Sequence, residues 1–291
     1  MTTNGTLLVD KPTGWTSHDV VGKLRGILRE RRIGHAGTLD PMATGLLVIA
    51  VGPSTRLLRY AQESHKLYVG VAKFGVATDS LDADGTEIAR MAVPELTPES
   101  LQAAAASLTG NIEQVPPMVS AIKIGGQKLY DLARQGIEVE RPARPVTIDE
   151  FFLRPGDEPD TVTFSVRCST GTYIRTLLSD AAQRLGTVGH LTQLRRLESG
   201  GSHVDDAWTM ERLTSGEAVT LSSPRDLVSS LTSCTVSEDQ IRDIRHGKRI
   251  VLDTSDDLVA ALSENGDVVA VLARRGENYQ PETVLAESPS T

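Results

Sequence analysis

Asp40 is the side chain in this sequence best placed to do chemistry. It lies in Gly34-His35-Ala36-Gly37-Thr38-Leu39-Asp40-Pro41-Met42-Ala43-Thr44-Gly45. Glycine and proline at this density mark a loop whose backbone takes conformations most side chains forbid. The apolar run Leu46–Val51 follows at once and reads as a buried strand, so the loop is pinned to something rigid. A carboxylate held this way can act as a covalent nucleophile. An Asp before Pro also bonds its own turn, and the loop alone leaves both readings open. Arg175 sits in the first turn of a predicted helix, where a cation opposes the helix dipole and needs some other partner; a carboxylate from another loop would serve. Taken alone, Tyr68 and Tyr173 read as ordinary half-buried tyrosines and His35 as a loop-stabilising hydrogen-bonder.

The elements that must position these groups follow from periodicity and punctuation. Residues 6–9 form a short strand ending in Asp10-Lys11-Pro12-Thr13-Gly14-Trp15-Thr16-Ser17, with Ser17 as the expected N-cap of a helix. Val20, Val21, Leu24, Ile27 and Leu28 share one helical face. Lys23, Arg25 and Arg29, with Arg31 and Arg32 beyond, make either a solvated face or a phosphate-tracking one. Residues 66–74 and 161–168 read as strands, and Thr97 with Pro98 opens a helix closed by Gly110. Asp79-Ser80-Leu81-Asp82-Ala83-Asp84-Gly85 has the flavour of a calcium loop, but Ser80 and Met91 at its end positions fail, leaving an acidic turn. Residues 115–147 carry five basic residues between glycine hinges and read as a surface insertion or a lid over a polyanion. Ile174, Leu177, Leu178, Ala181, Ala182 and Leu185 form the core face of a helix that Gly186 ends. The Ser-rich stretch 222–233 reads as a linker, and short strands recur from Thr235 to about Leu285.

The whole chain sets the boundaries. Its 291 residues and 39% hydrophobic content suffice for one large domain with a smaller one. No apolar run approaches the roughly 20 residues of a membrane helix, and no secretory leader is visible, so a cytoplasmic protein is expected. Cys168 and Cys234 are too few for a disulfide scaffold or a metal cluster. The net charge of −8 is confined to residues 201–291; residues 1–200 hold 22 basic and 22 acidic residues. Local field, not net charge, steers a polyanion, so an RNA partner remains compatible.

Five stretches together carry a family resemblance: Asp10–Ser17; Gly34–Pro41 with Ala43-Thr44-Gly45; Lys66-Leu67-Tyr68; Gly171-Thr172-Tyr173-Ile174-Arg175; and Leu194-Arg195-Arg196-Leu197. In this order they resemble the bacterial tRNA pseudouridine synthase B family, which isomerises uridine 55 in the T arm. The resemblance implies an α/β (α+β) catalytic domain over residues 1–225, built on a curved, mainly antiparallel sheet with an RNA cleft. It implies a thumb-like insertion at 121–145 and a small β-rich, PUA-like RNA-binding domain at 235–291. Asp40 would be the nucleophile, Arg175 its partner, and Tyr68 both the stacker on uracil and the base taking the C5 proton. Tyr173 and Leu194 would line the uracil pocket, and His35 would contact the bases left behind by the flipped uridine. The expected partner is a tRNA T-arm stem-loop; no metal, small-molecule cofactor or membrane is called for, and a monomer is expected. Two readings compete. A non-catalytic tRNA-folding chaperone would use the same basic features, and a carboxylate-nucleophile glycosidase would need a second acid that the Asp40 loop lacks.

If the helix at 17–30 and the insertion at 121–145 grip phosphates, log K for RNA should fall against log [salt] by roughly 0.7–0.9 per contact. Arg141→Glu with Arg144→Glu should weaken binding and flatten that slope in a fluorescence-anisotropy titration. An unchanged slope removes the insertion from the RNA surface.

Overall fold

The apolar run after the Asp40 loop becomes β3 (Thr44–Val51), whose last seven residues are all buried. The computed structural model describes residues 4–61, 65–118 and 139–285, with 123–124, 127–128 and 137. Its contacts separate two units, Met1–Ser64 with Glu198–Thr291, and His65–Leu197. In the first unit, β1 (Gly5–Lys11) runs antiparallel to β3, from Gly5 opposite Val51 to Lys11 opposite Gly45. β2 (Ile33–Ala36) pairs antiparallel with β3, with Ala36 opposite Val48. A strand bonded on both edges and covered on both faces needs apolar side chains throughout, hence the unbroken run. The helix α1 (Ser17–Leu28) covers this sheet with Val20, Val21 and Leu24, which pack with Leu7, Val9, Leu47 and Ile49. Its N-cap is Thr16, one residue earlier than expected, because Thr16 and Asp19 close a reciprocal capping box.

The second unit holds β4 (Lys66–Phe74), the hairpin β5 (Val76–Thr78) and β6 (Glu87–Arg90), α2 (Pro98–Ala106) and β7 (Gly110–Gln114). The short pair β8 (Lys123–Ile124) and β9 (Gln127–Lys128) follows. Then come β10 (Arg144–Pro155), β11 (Thr161–Cys168), α3 (Ile174–Arg184) and β12 (Gly189–Ser199), whose last two residues belong to the first unit. The strands lie in the order β12-β4-β11-β10-β7. β11 is antiparallel to both β4 and β10, and β10 to β7. Strict alternation along β11 buries Val162, Phe164, Val166 and Cys168. The thumb-like insertion expected at 121–145 falls largely outside the described residues.

The chain then returns to the first unit. β13 (Ser202–His203) pairs with the end of β12, and β14 (Trp208–Thr209) lies parallel on β1. The Ser-rich stretch expected to be a linker is folded: Ser222 exchanges two 2.9 Å backbone bonds with Thr6, and Leu227 and Val228 are buried. A four-stranded sheet closes the chain. In it β15 (Thr232–Thr235) is parallel to β16 (Leu258–Leu262), and β17 (Val268–Arg275) and β18 (Asn278–Val284) continue antiparallel. The helix α4 (Glu238–Arg245) packs Ile241 and Ile244 against it. The fold is thus mixed α/β, with nearly all pairings antiparallel and a separate small β-rich sheet at the C-terminal end.

That last sheet is tied to the N-terminal segment by more than the chain. The Tyr60 hydroxyl lies 3.0 Å from Thr283 Oγ1, and Arg59 donates to the same Thr283 oxygen and pairs with Glu282. Tyr60→Phe and Thr283→Val should each cost about 1 kcal/mol in urea unfolding. Together they should cost little more than one alone. Full additivity of the two costs would show that the hydroxyls do not support each other.

Candidate active site

The loop carrying Asp40 is shaped by the segment that follows β1. Lys11 is fully buried, and its ammonium donates to the carbonyls of Pro12 (3.0 Å), Trp15 (2.6 Å) and Pro41 (3.3 Å). The Gly14 N–H donates to Pro41 O at 2.8 Å, and Thr13 Oγ1 to Met42 O at 3.2 Å. Ser17 Oγ accepts from Leu39 N–H at 3.0 Å and donates to Leu39 O at 3.3 Å. Asp40 itself closes a turn through its carbonyl, which accepts from Ala43 N–H at 3.1 Å. Gly37 and Gly45, at φ 89° and 101°, supply the left-handed backbone at the two ends of the loop. Backbone atoms on both sides of Asp40 are therefore anchored, and the half-buried residue has little freedom of its own. His35, on β2, stacks edge-to-face on His18 of α1 with centroids 5.7 Å apart.

In the second unit, Tyr68 and Lys66 alternate onto the buried face of β4, opposite Val166 and Cys168 of β11. Leu194 is buried on β12, the strand beside β4. The two strands approach so closely that a Cβ on Gly70 would lie 2.0 Å from Gln193 O. This seam, two residues from Tyr68 and one from Leu194, fixes the spacing of the strands that carry them. Tyr173 is the N-cap residue of α3, and Arg175, two residues on in the first turn, is buried at 4% exposed. Arg175 Nη1 donates to Ser80 O at 2.9 Å and to Asp82 Oδ2 at 3.2 Å. The other Asp82 oxygen accepts from Ser80 Oγ (2.5 Å) and Asp84 N–H (3.2 Å). The acidic turn is a cup that aims one carboxylate at one guanidinium, with Leu81 forced to φ 63° at its tip.

Burial sets the titrations around Tyr68. It pushes the Lys66 ammonium down to about 8, helped by the charge of Arg196 and partly opposed by Cys168. It pushes the Cys168 thiol up to about 11, so this cysteine is an unreactive core residue despite its place at the sheet end. A cavity of about 680 Å³ lined by Leu108, Ile112, Val115, Thr176 and Asp180 includes none of the residues singled out from the sequence.

The model of the TruB family pseudouridylate synthase N-terminal domain matches residues 25–174, and that of the tRNA pseudouridine synthase II C-terminal domain matches residues 232–286. The chain belongs to the TruB family of pseudouridylate synthases. It is 41% identical to the tRNA pseudouridine synthase B of Arthrobacter sp. (strain FB24), over 98% of this chain and 97% of the relative. It is 42% identical to that of Streptococcus sanguinis (strain SK36), over 97% and 99%. Among solved structures, a chain of a Cbf5-Nop10-Gar1 complex superposes with a TM-score of 0.75 at 23% identity, covering 97% of this chain and 85% of that one. A chain of the archaeal box H/ACA sRNP Nop10-Cbf5 complex does so at 0.72 and 22%, covering 97% and 86%. At such identities the likeness concerns the fold.

For this TruB-family chain, His35 and Asp40 lie in the first unit and Tyr68, Tyr173, Arg175 and Leu194 in the second. The sequence missed Asp82 and Lys11. Arg175 calls for some partner, for which a carboxylate from another loop would serve, and Asp82 is such a carboxylate; the local signal was an acidic turn too poor for calcium. Lys11 looked like loop chemistry, and its neighbouring Pro12 and Gly14 concealed a buried cation.

Lys66 yields a stability signature. Its native pKa lies below the ordinary 10.5, so the burial cost is fully present below about pH 8. As pH climbs from there toward 10.5, the unfolded chain holds more protons than the native one and stability rises. Wild type should therefore gain stability on Lys66→Met across that window in thermal or urea unfolding. A constant difference between the two would mean that Lys66 titrates normally.

Proposed function

We propose that this enzyme converts uridine 55 in the T arm of tRNA to pseudouridine, with Asp40 as the nucleophile on a flipped-out uridine. The observation that carries the reading is the set of bonds from Lys11, Thr13, Gly14 and Ser17 that fixes residues 39–42. A carboxylate needs that kind of preorganisation to meet a reacting carbon repeatedly in one geometry. The full-length similarity to proteins named tRNA pseudouridine synthase B supports tRNA as the substrate.

In the reaction the C1′–N1 bond breaks, the uracil turns, a C1′–C5 bond forms, the C5 proton leaves and N1 takes up a proton. Attack of the carboxylate on C1′ or on the ring, and a glycal route, share three requirements. The carboxylate must be ionised, which Arg175 would favour as its cationic partner. The detached uracil must be held, which suits Tyr68 as stacker with Tyr173 and Leu194 as walls. A base must take the C5 proton, the role assigned to Tyr68. Unstacking the uridine costs a few kcal/mol, and His35 would contact the bases it leaves. The catalytic body is taken as residues 1–225 and the PUA-like RNA-binding portion as 235–291, acting as a monomer in the cytoplasm.

The test is tritium release from C5-labelled uridine in a T-arm stem-loop, with equilibrium binding measured on the same RNA. Asp40→Asn keeps shape and hydrogen bonding but removes the nucleophile, and turnover should drop by about 10³-fold or more. Affinity should hold, since most of it comes from phosphate contacts elsewhere. Full activity of Asp40→Asn would sink the assignment of the nucleophile. No release from wild type would favour a tRNA-folding chaperone.

A further inference from the structure

The start of α3 is capped from 59 residues away. Tyr173 is its N-cap residue but gives the helix no side-chain cap bond. The cap comes from Gln114, 2% exposed, at the end of β7. Gln114 Oε1 accepts from Tyr173 N–H at 2.7 Å, while Gln114 Nε2 donates to Tyr173 O at 3.1 Å. A backbone N–H can only donate and a carbonyl can only accept, so the pair of bonds admits one orientation of the amide. The same Tyr173 carbonyl takes the first helical bond, from Leu177 N–H at 3.0 Å. In an ordinary capping box, a Glu or Gln three residues into the helix reaches back to the N-cap N–H. Here a side chain from a distant strand does that work.

The position of Gln114 gives the contact its meaning. Its backbone stands opposite Arg144, the first residue of β10, and this pair is the last of the β7–β10 ladder. Residues 115–143 leave and return at that pair, and Arg141 Nη1 bonds Pro116 O at 3.0 Å across the same neck. One buried amide thus joins the root of the basic insertion to the residue that begins α3, two positions before Arg175.

We infer that Gln114 is a positioning residue for the isomerisation, holding Tyr173 and the first turn of α3 in register with the root of the insertion. The inference rests on the reading of Tyr173 and Arg175 as parts of the uridine site. Gln114 touches no reacting atom. It acts by denying the helix start a second orientation, which keeps Tyr173 and the turn leading to Arg175 in one frame.

The experiment uses the full chain with two substitutions. Gln114→Leu keeps the volume and removes both bonds. Its single-turnover tritium release should fall by about ten- to a hundred-fold, with stem-loop affinity within about twofold of wild type and native circular dichroism. Amide exchange across residues 172–178 should quicken. Gln114→Glu is the informative variant. When protonated, its carboxyl offers one O–H donor and one carbonyl acceptor, as the amide does; when ionised, it repels Tyr173 O. Its rate relative to wild type should therefore climb as pH falls from about 8.5 to about 5.5, while the Gln114→Leu ratio stays flat. A residue that merely stabilised the fold would not yield a pH-dependent rate ratio in fully folded protein. Undiminished release by Gln114→Leu, or a flat ratio for folded Gln114→Glu, overturns the positioning role alone. No release from wild type overturns the enzyme reading beneath it.

Discussion

Everything proposed for Asp40 depends on one buried cation. Lys11 places its ammonium among the carbonyls of Pro12, Trp15 and Pro41, in a loop region with no strand partner to satisfy them. Desolvating an ammonium is expensive, and only a full set of short hydrogen bonds offsets it. Once they form, the segment after β1 and the segment before β3 become one object. β1 and β3 are already paired up to Lys11 opposite Gly45, so the ammonium continues the ladder by side-chain means where the backbone pattern stops. The carbonyls of Pro12 and Pro41 both accept from the ammonium, and Pro41 O accepts a second bond from Gly14 N–H, so its two lone pairs are both used.

The second unit solves its positioning problem with the same economy. Arg175 and Tyr173 sit where a helix starts, the part of a helix with unmet N–H groups and an unfavourable field for a cation. Asp82 and Ser80 O meet the guanidinium, and Gln114 meets the backbone. In both units, then, Asp40, Tyr173 and Arg175 lie at or beside the ends of regular elements. Each end is closed by a polar side chain from elsewhere in the chain. Such ties are directional in a way that apolar packing is not, and they define orientation where packing defines proximity.

Much of the framework was legible. The strands at 66–74 and 161–168 appear with those bounds, Thr97 caps α2, and the core stripe of α3 is buried from Ile174 to Ala182, with Leu185 half-buried at the C-cap. These are local properties, written in alternation, helical period and capping residues. The Asp40 loop was legible because glycine at a positive φ leaves a mark in the sequence. Asp82 and Gln114 were not, because Arg175 and Tyr173 lie far off in sequence and nothing in their own neighbourhoods records the contact; Lys11 was not, because a lysine beside proline and glycine reads as exposed loop although its main-chain partners are near. Arg175 is intermediate: the need for a partner could be read from the helix dipole, the identity of Asp82 could not. The Ser-rich stretch misled for a related reason, since its small residues pack against β1 through backbone bonds that any composition could make.

The first unit is assembled from the two ends of the chain, and this has a consequence for its birth on the ribosome. Thr6 waits for Ser222, and Tyr60 for Thr283, a partner 223 positions later. At roughly 5–20 residues per second, that is a delay on the order of ten seconds or more after the early strands emerge. Meanwhile the contacts among residues 11–17 and 39–42 are close in sequence and need nothing that is still untranslated. The nascent chain can thus shape the Asp40 loop early while one flank of β1 stays unpaired. Such an interval invites a holding chaperone, and it makes a ribosome stalled before Ser222 is added a source of chains with a formed loop and an open edge.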